Sequence, residues 1–346
     1  MSRPVDSPPR RSQPTLKTIA QMTGFAVTTV SRALNDAPDI GQATKEKVRE
    51  VAKSIGYRPN RAGVRLRTGK TNVIALILSN QQDVIGHASE LVYAISDELK
   101  GTPYHLVVMP YSPLSDSIIP VRYVLETRSA DGIIFNQTML IDERVRLLTQ
   151  EKFPFTSHGR TEMGIAHSYV DYDNGAYADL IVRELARRGR KNLVLVPPPL
   201  TQSYAHHMAE AFKATCKTLG IKSTILSDFS ADHDIDDIRA GTFAALQADP
   251  GIDGIISATT AATIASVDAA ESSGRRLGHD IDVGSKEVSN LLRVFRRQLV
   301  LVREDTTQAG RLMARALLQQ INDPSAPLIS HLAVPTAADI LPGTRD

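Results

Sequence analysis

Residues Thr15–Thr71 read TLKTIAQMTGFAVTTVSRALNDAPDIGQATKEKVREVAKSIGYRPNRAGVRLRTGKT, and most of this stretch divides into three short helical patterns. Over Leu16–Thr23, Leu16, Ile19 and Ala20 share one face. Gly24-Phe25-Ala26 then interrupts, and Gly24 suits a backbone position at positive φ, where a Cβ would be strained. Val27–Asn35 repeats the pattern, placing Val27, Val30 and Leu34 at core-facing spacing. A third helix is predicted over Gln42–Ile55, burying Val48, Val51, Ala52 and Ile55 and stopping at Gly56. Two short helices joined by a three-residue turn with a Gly predict a helix-turn-helix.

Charge runs the same way. Residues 1–72 hold 14 Lys/Arg against 5 Asp/Glu, a formal +9, while residues 73–346 hold 26 against 33, a formal −7. A basic head on a mildly acidic body is the footprint of a polyanion-binding module. Charge alone does not separate DNA from RNA or an anionic membrane, so the helical face must decide. Thr28, Arg32 and Asn35 lie at i, i+4 and i+7, opposite the apolar stripe. Arg32 has the geometry to pair bidentately with guanine O6 and N7, worth roughly 1–3 kcal/mol of discrimination. Val27 and Thr28, at the helix start, point deepest toward base edges, with Val27 suited to a thymine methyl. An ordinary solvated amphipathic helix is the competing reading of that face.

The whole string narrows the choice. It resembles, without gaps, the N-terminal DNA-binding region of the LacI family of bacterial repressors. The matching motifs are TVSRALN (Thr29–Asn35), T-x-x-K-V (Thr44–Val48), GYRPN (Gly56–Asn60) and LRTGKT (Leu66–Thr71). The resemblance implies base contacts by Val27, Thr28 and Arg32, and phosphate or sugar contacts by Thr15, Lys17, Thr29, Asn35 and Asn60. It makes Asn60–Arg67, including Arg61, a hinge helix that folds on operator DNA. Leu66 becomes the apolar wedge that unstacks a base step in the minor groove. Three positions depart from the family: Ala26 replaces a capping Ser, which weakens the cap by about 1 kcal/mol. Gly63 replaces Ala in the hinge, lowering its helicity off DNA, and Gly41 replaces Ser before the third helix.

Outward from this head, residues 1–14 are rich in Pro, Ser and Arg, a composition of disordered tails. The expected organisation is a tail over 1–14, a helix-turn-helix domain over 15–58, a hinge over 59–71 and an effector-binding and dimerisation domain over 72–346. In that body, strand patterns at Val73–Leu78, His105–Met109, Gly132–Phe135, Asn192–Val196, Gly254–Ser257 and Leu299–Arg303 alternate with helical ones. The helical patterns fall at Ala88–Leu99, Asp142–Glu151, Ala176–Arg188, Tyr204–Leu219, Ile235–Gln247, Thr260–Ser273 and Thr306–Ile321. Such alternation predicts doubly wound α/β with parallel sheets, and its length suits two lobes. The expected fold is thus an all-α helix-turn-helix domain followed by a two-lobed α/β doubly wound domain, which the resemblance makes periplasmic-binding-protein-like.

Two lobes suit capture of a small polar molecule by hinge closure. Mapping the family's sugar-contacting positions selects His158, Arg160, Asp173, Tyr204, His206, Met208, Thr259, Lys286 and Glu287 as effector-binding candidates. Several depart from the usual pattern. Asp-Arg becomes Gly159-Arg160, an Arg becomes Met208, Asn-Asp becomes Thr259-Thr260, and Gly-Tyr-Asp becomes Ser285-Lys286-Glu287. The effector is therefore an unusual sugar or polyol, or a carboxylated or phosphorylated ligand. For His206 and His207 the alternative is a solvent-exposed helix-face pair, and for Met208 a core filler.

Other classes fare worse. The chain is 42% hydrophobic and 23% charged, ordinary for a globular protein. No run approaches the ~20 apolar residues of a membrane span, and no apolar stretch follows the N-terminal arginines as in a secretory signal. The single Cys216 gives neither an internal disulfide nor a metal cluster and fits a reducing cytoplasm, with the protein gathered on the nucleoid. No hydrolase or dehydrogenase signature occurs, and Gly63…Gly69-Lys70-Thr71 has one residue too many for a phosphate-binding loop. No catalytic residue, metal or cofactor is expected. The alternatives are an α/β enzyme or a solute-binding protein with a non-specific basic head. A single helix-turn-helix buries too little surface for tight specific binding, so a homodimer on a near-palindromic double-stranded operator is expected, without membrane association. The terminal AADILPGTRD lacks the heptads of a tetramerising tail.

Overall fold

The computed structural model describes residues 14–57, 65, 69–79, 86–112 and 115–344. They form two compact units that part between Thr71 and Asn72.

The first unit holds α1 (Leu16–Thr23), α2 (Val27–Leu34) and α3 (Gln42–Ser54). Thr15 starts α1 with a capping box, its hydroxyl accepting from Thr18 N at 3.3 Å while its own N–H donates to the Thr18 hydroxyl at 3.1 Å. Gly24 ends α1 at φ +76°, the left-handed conformation that the turn requires. Neither Ala26 nor Gly41 caps the helix that follows it. Ile19, Val30, Ala33, Val48 and Ala52 form the buried core. Val27 departs from the expected inward stripe, standing 40% exposed. It is the first residue of α2, beyond the crossing with its neighbours, and Ala33 fills the core instead. Asp36, just past α2, accepts ion pairs from Lys45 at 3.0 Å and Arg49 at 2.8 Å, fixing the angle between α2 and α3.

The second unit follows as β1 (Val73–Ser79), α4 (His87–Glu98), β2 (His105–Tyr111), α5 (Ile119–Thr127), β3 (Gly132–Phe135), α6 (Glu143–Gln150), β4 (Phe155–His158) and β5 (Ser168–Tyr172). Then come α7 (Asn174–Arg187), β6 (Asn192–Leu195), α8 (Ser203–Leu219), β7 (Lys222–Ile225), α9 (Ile235–Ala248), β8 (Gly254–Ile256), α10 (Thr260–Ser272) and β9 (Asp282–Glu287). The chain closes with α11 (Leu291–Phe295), β10 (Val300–Arg303), α12 (Thr306–Asn322), β11 (Ser330–Ala333) and β12 (Ile340–Leu341).

The strands build two sheets of the same order. One runs β2-β1-β3-β4-β5-β11, all parallel; the other runs β7-β6-β8-β9-β10-β12, parallel except for β12. Each is a doubly wound sheet whose order reverses beside its first strand. Apolar clusters cover both faces of each, as parallel strands demand. The six expected strands and seven expected helices are present within two residues of their ends. Residues after β5, after β10 and after β11 cross between the sheets, so three chain segments join the lobes.

Candidate DNA-reading face and effector cleft

On the head, Val27 and Thr28 are exposed at the start of α2, and Thr29 is half-buried. Arg32 is also exposed, and its Nη2 lies 2.5 Å from Asp39 Oδ2. Asn35 turns back, its Nδ2 donating to Ser31 O at 2.6 Å. Thr15 and Lys17 are exposed at the start of α1. The structure thus gathers seven of the ten residues selected for DNA binding onto α1, α2 and their ends. Asn60, Arg61 and Leu66, with the predicted hinge helix, lie outside the described residues.

In the body, a cleft opens where the C-terminal ends of strands from both sheets meet, the usual ligand position of doubly wound folds. Counted out into open solvent it spans about 780 Å³. One wall carries Asn136, Gln137 and Thr138 after β3, His158 and Gly159 at the end of β4, and Asp171 on β5. The other carries Tyr204, Asp232, Thr259, Thr260 and Lys286, while Glu304 comes from the crossover after β10 and His87 from the start of α4.

Of the residues expected there, His158, Tyr204, Thr259 and Lys286 line the cleft. Arg160, Asp173, His206, Met208 and Glu287 do not line it. Met208 lies wholly inside the apolar cluster beneath α8. Asp173 caps α7, accepting from Ala176 N at 2.9 Å. Glu287 is buried and accepts from Ser289 N at 3.2 Å and Arg293 N at 2.9 Å. Arg160 stands behind the wall with Nη1 3.1 Å from Asp171 Oδ2, close enough to pair without being aligned as a hydrogen bond. His207, neighbour of His206, reaches Glu162 at 3.1 Å.

Sequence reading overlooked His87, Asn136, Asn174, Asp232 and Glu304. Asn136 and Glu304 directly follow strands, Asn174 opens α7 and His87 opens α4, positions reached through topology rather than local spacing.

The cleft's charges are largely paired among themselves. Lys286 Nζ lies 3.0 Å from Glu304 Oε2, both groups buried. The rings of Tyr172, Tyr177 and Tyr204 surround the ammonium at 5.0, 5.8 and 5.7 Å. Burial alone would raise Glu304, but Lys286 and His87 outweigh it and hold the carboxyl well below the usual range. Burial, helped by His87, pushes His158 down to about 3, so its ring is neutral. Asp171 is raised by burial to about 6 against the pull of Arg160. Asn136 Oδ1 and Asn174 Oδ1 are buried with no hydrogen-bond partner among the described residues.

Contacts across the cleft hold the lobes together. Ser203 N donates to Thr138 O at 2.8 Å, and Gln137 Nε2 donates to Asp232 Oδ2 at 3.5 Å. Beneath this edge Arg144 and Asp142 form a fully buried pair at 2.7 Å, and Arg144 Nη2 also donates to Gln137 O at 2.9 Å. That donor fixes the Asn136–Thr138 wall from behind.

Comparison with known proteins agrees with this architecture. Residues 15–60 match the model of bacterial regulatory proteins, lacI family, and residues 182–340 match that of a periplasmic binding protein-like domain. The HTH-type transcriptional regulator RafR of Escherichia coli is 32% identical over 235 residues, 67% of this chain and 68% of that protein. AglR of Rhizobium meliloti (strain 1021), also an HTH-type transcriptional regulator, is 28% identical over 317 residues, 88% and 86% of the two chains. Among solved structures, the Lac repressor dimer bound to operator and the anti-inducer ONPF has a TM-score of 0.80 at 20% identity, covering 96% of this chain and 99% of that one. The transcriptional regulator CelR in complex with cellobiose has a TM-score of 0.68 at 21% identity, covering 96% and 100%. At such identities the two structures bear on fold alone. With a helix-turn-helix head, a two-lobed ligand-binding body and RafR as a relative, this chain belongs to the LacI family and is a DNA-binding transcriptional regulator.

Proposed function

We propose that the protein controls genes of carbohydrate uptake or breakdown, binding a near-palindromic operator as a homodimer in the cytoplasm and answering a small, hydroxyl-rich effector. The observation that carries the effector class is the cleft itself. Its buried Lys286 and Glu304 already pair and Asp171 has Arg160 at 3.1 Å behind the wall, while Asn136 Oδ1 and Asn174 Oδ1 stay unpaired among the described residues. A fully ionic ligand would have to break those pairs, whereas a hydroxyl donor satisfies either buried acceptor once its amide turns toward the ligand. CelR, a relative in fold, was solved with cellobiose, and that supports the same ligand class. The body is read as binding its effector without transforming it.

Dimerisation through the body is supported by apolar side chains left exposed among the described residues. Tyr93 on α4 is 72% exposed, and Val107 and Val108 project from β2, an edge strand. Val27, Thr28 and Arg32 are read as the base-contacting residues, with Thr15, Lys17, Thr29 and Asn35 on the backbone. Effector binding in the cleft then closes the lobes and alters operator affinity, with a coupling of about 1–3 kcal/mol that must act reciprocally. Isothermal titration with a panel of mono- and disaccharides tests the ligand class. Saturable binding of at least one, weakened by Asn136→Ala, supports it; binding confined to charged metabolites overturns it.

A further inference from the structure

We propose that the cleft holds a divalent metal ion of the zinc class on His87, His158 and Glu304, with a free coordination position open to the effector. The three side chains are far apart in sequence, which is why no ligand spacing announces them. They converge because the start of α4, the end of β4 and the crossover after β10 meet at the back of the cleft. One donor atom from each lies within 4.8 Å of the others. His87 Nε2 and Glu304 Oε1 are already 3.5 Å apart. Tetrahedral coordination at zinc distances needs donors roughly 3.3 Å apart. Side-chain rotation at His158, whose ring centroid is 4.8 Å from that of His87 and tilted 53° to it, completes the approach.

The surroundings match a metal site in two further ways. Glu304 offers Oε1 to the ion while Oε2 stays on Lys286, so the ligating carboxylate has its own hydrogen-bonding partner. Three protein ligands leave a fourth position, and all three line the cleft, so that position faces the effector. Lys286 already offsets Glu304, so the ion keeps nearly all its charge and favours an oxygen donor, as in the vicinal hydroxyls of a saccharide. Because the histidines belong to one lobe and Glu304 to a crossover between lobes, the ion ties the ligand to the segment that moves on closure. This second part rests on the cleft being the effector site.

The test is titration of EDTA-treated full-length protein with cobalt(II), followed by visible absorption. Acetohydroxamate then serves as a bidentate oxygen probe of the free position. The expected result is one equivalent bound, displaced by zinc, with a spectrum that changes on adding hydroxamate. His158→Ala and His87→Gln should each weaken binding by at least the roughly 10–100-fold lost when an outer-shell partner is removed. His279→Gln, at an exposed site on the other lobe, should not. Thermal melts in EDTA show which variants fold, and either folded cleft variant decides the matter. Absent binding, or binding that either folded cleft variant retains, overturns the metal site. If operator binding still answers a saccharide in that case, the effector reading survives alone. Cobalt bound in the cleft without any saccharide response leaves the metal standing and removes the saccharide.

Discussion

Arg32 Nη2 lies 2.5 Å from Asp39 Oδ2, so the arginine proposed to read guanine is held by a carboxylate in the loop leading to α3. Both groups are about half exposed, and such a pair contributes little to stability. Its consequence falls on binding, because Asp39 must release the guanidinium before a base edge receives it. Arg32→Ala should weaken the cognate operator roughly 10–100-fold, the cost of one bidentate base contact, and random DNA far less. Asp39→Asn should strengthen binding to both. Anisotropy titrations on operator and random duplexes check this, and equal losses on the two would remove Arg32 from base reading.

Behind the cleft, Arg144 and Asp142 form a pair with no solvent access. Burial would raise the Asp142 carboxyl, but Arg144 outweighs it and holds it below its ordinary value. The pair's stabilisation is therefore present above about pH 4 and is lost as pH falls through the lowered folded value. Arg144→Met should cost about 3–5 kcal/mol, because Asp142 is left buried without a counter-charge. Adding Asp142→Asn should recover much of that loss. Urea denaturation near neutral pH measures both, and a double variant no more stable than the single would refute the pairing argument.

Much of the architecture was legible in the sequence. The head announced itself through Gly24, the spacing of Val30 and Val48, and an uninterrupted motif string. Half of the strands did not. All six residues of β9, DVGSKE, are buried, yet they show neither alternation nor an apolar run. Asp282 is satisfied by Arg188 and Arg190, Ser285 by Thr263, and Lys286 by Glu304, all from distant segments. Polar burial paid for by long-range partners leaves no local signature. The cleft was only partly foreseen for the same reason: His158 and Lys286 fall at mapped positions, whereas His87 and Glu304 join them only through topology. Met208 took a mapped position but, with no polar group to satisfy, it packs into the core.

Gly159 explains one departure from the family pattern. It sits at φ +110°, and a Cβ there would fall 2.2 Å from Thr138 Oγ1. Gly159→Ala should cost about 1–3 kcal/mol of stability through backbone strain and lower effector affinity by displacing Thr138 from the cleft wall. Paired thermal melts and titrations check this; an unchanged effector affinity would separate Thr138 from ligand binding.

Asp171, on the cleft wall, has its carboxyl raised by burial to about 6. Ligand hydroxyls donate to the ionised form, so binding favours deprotonation. Effector affinity should be full above pH 7 and fall about tenfold by pH 5, as the ionised fraction falls. Asp171→Asn should flatten that profile. Titrations across the range decide it, and a profile rising toward acid would exclude Asp171 as an acceptor.

The central claim, that this head reads a discrete DNA site under control of the cleft, is tested most directly by footprinting full-length protein on DNA upstream of neighbouring genes, with and without saccharides. The account predicts one symmetric protected site whose affinity one saccharide shifts by roughly 5–150-fold. Protection of no discrete site under any condition would contradict it.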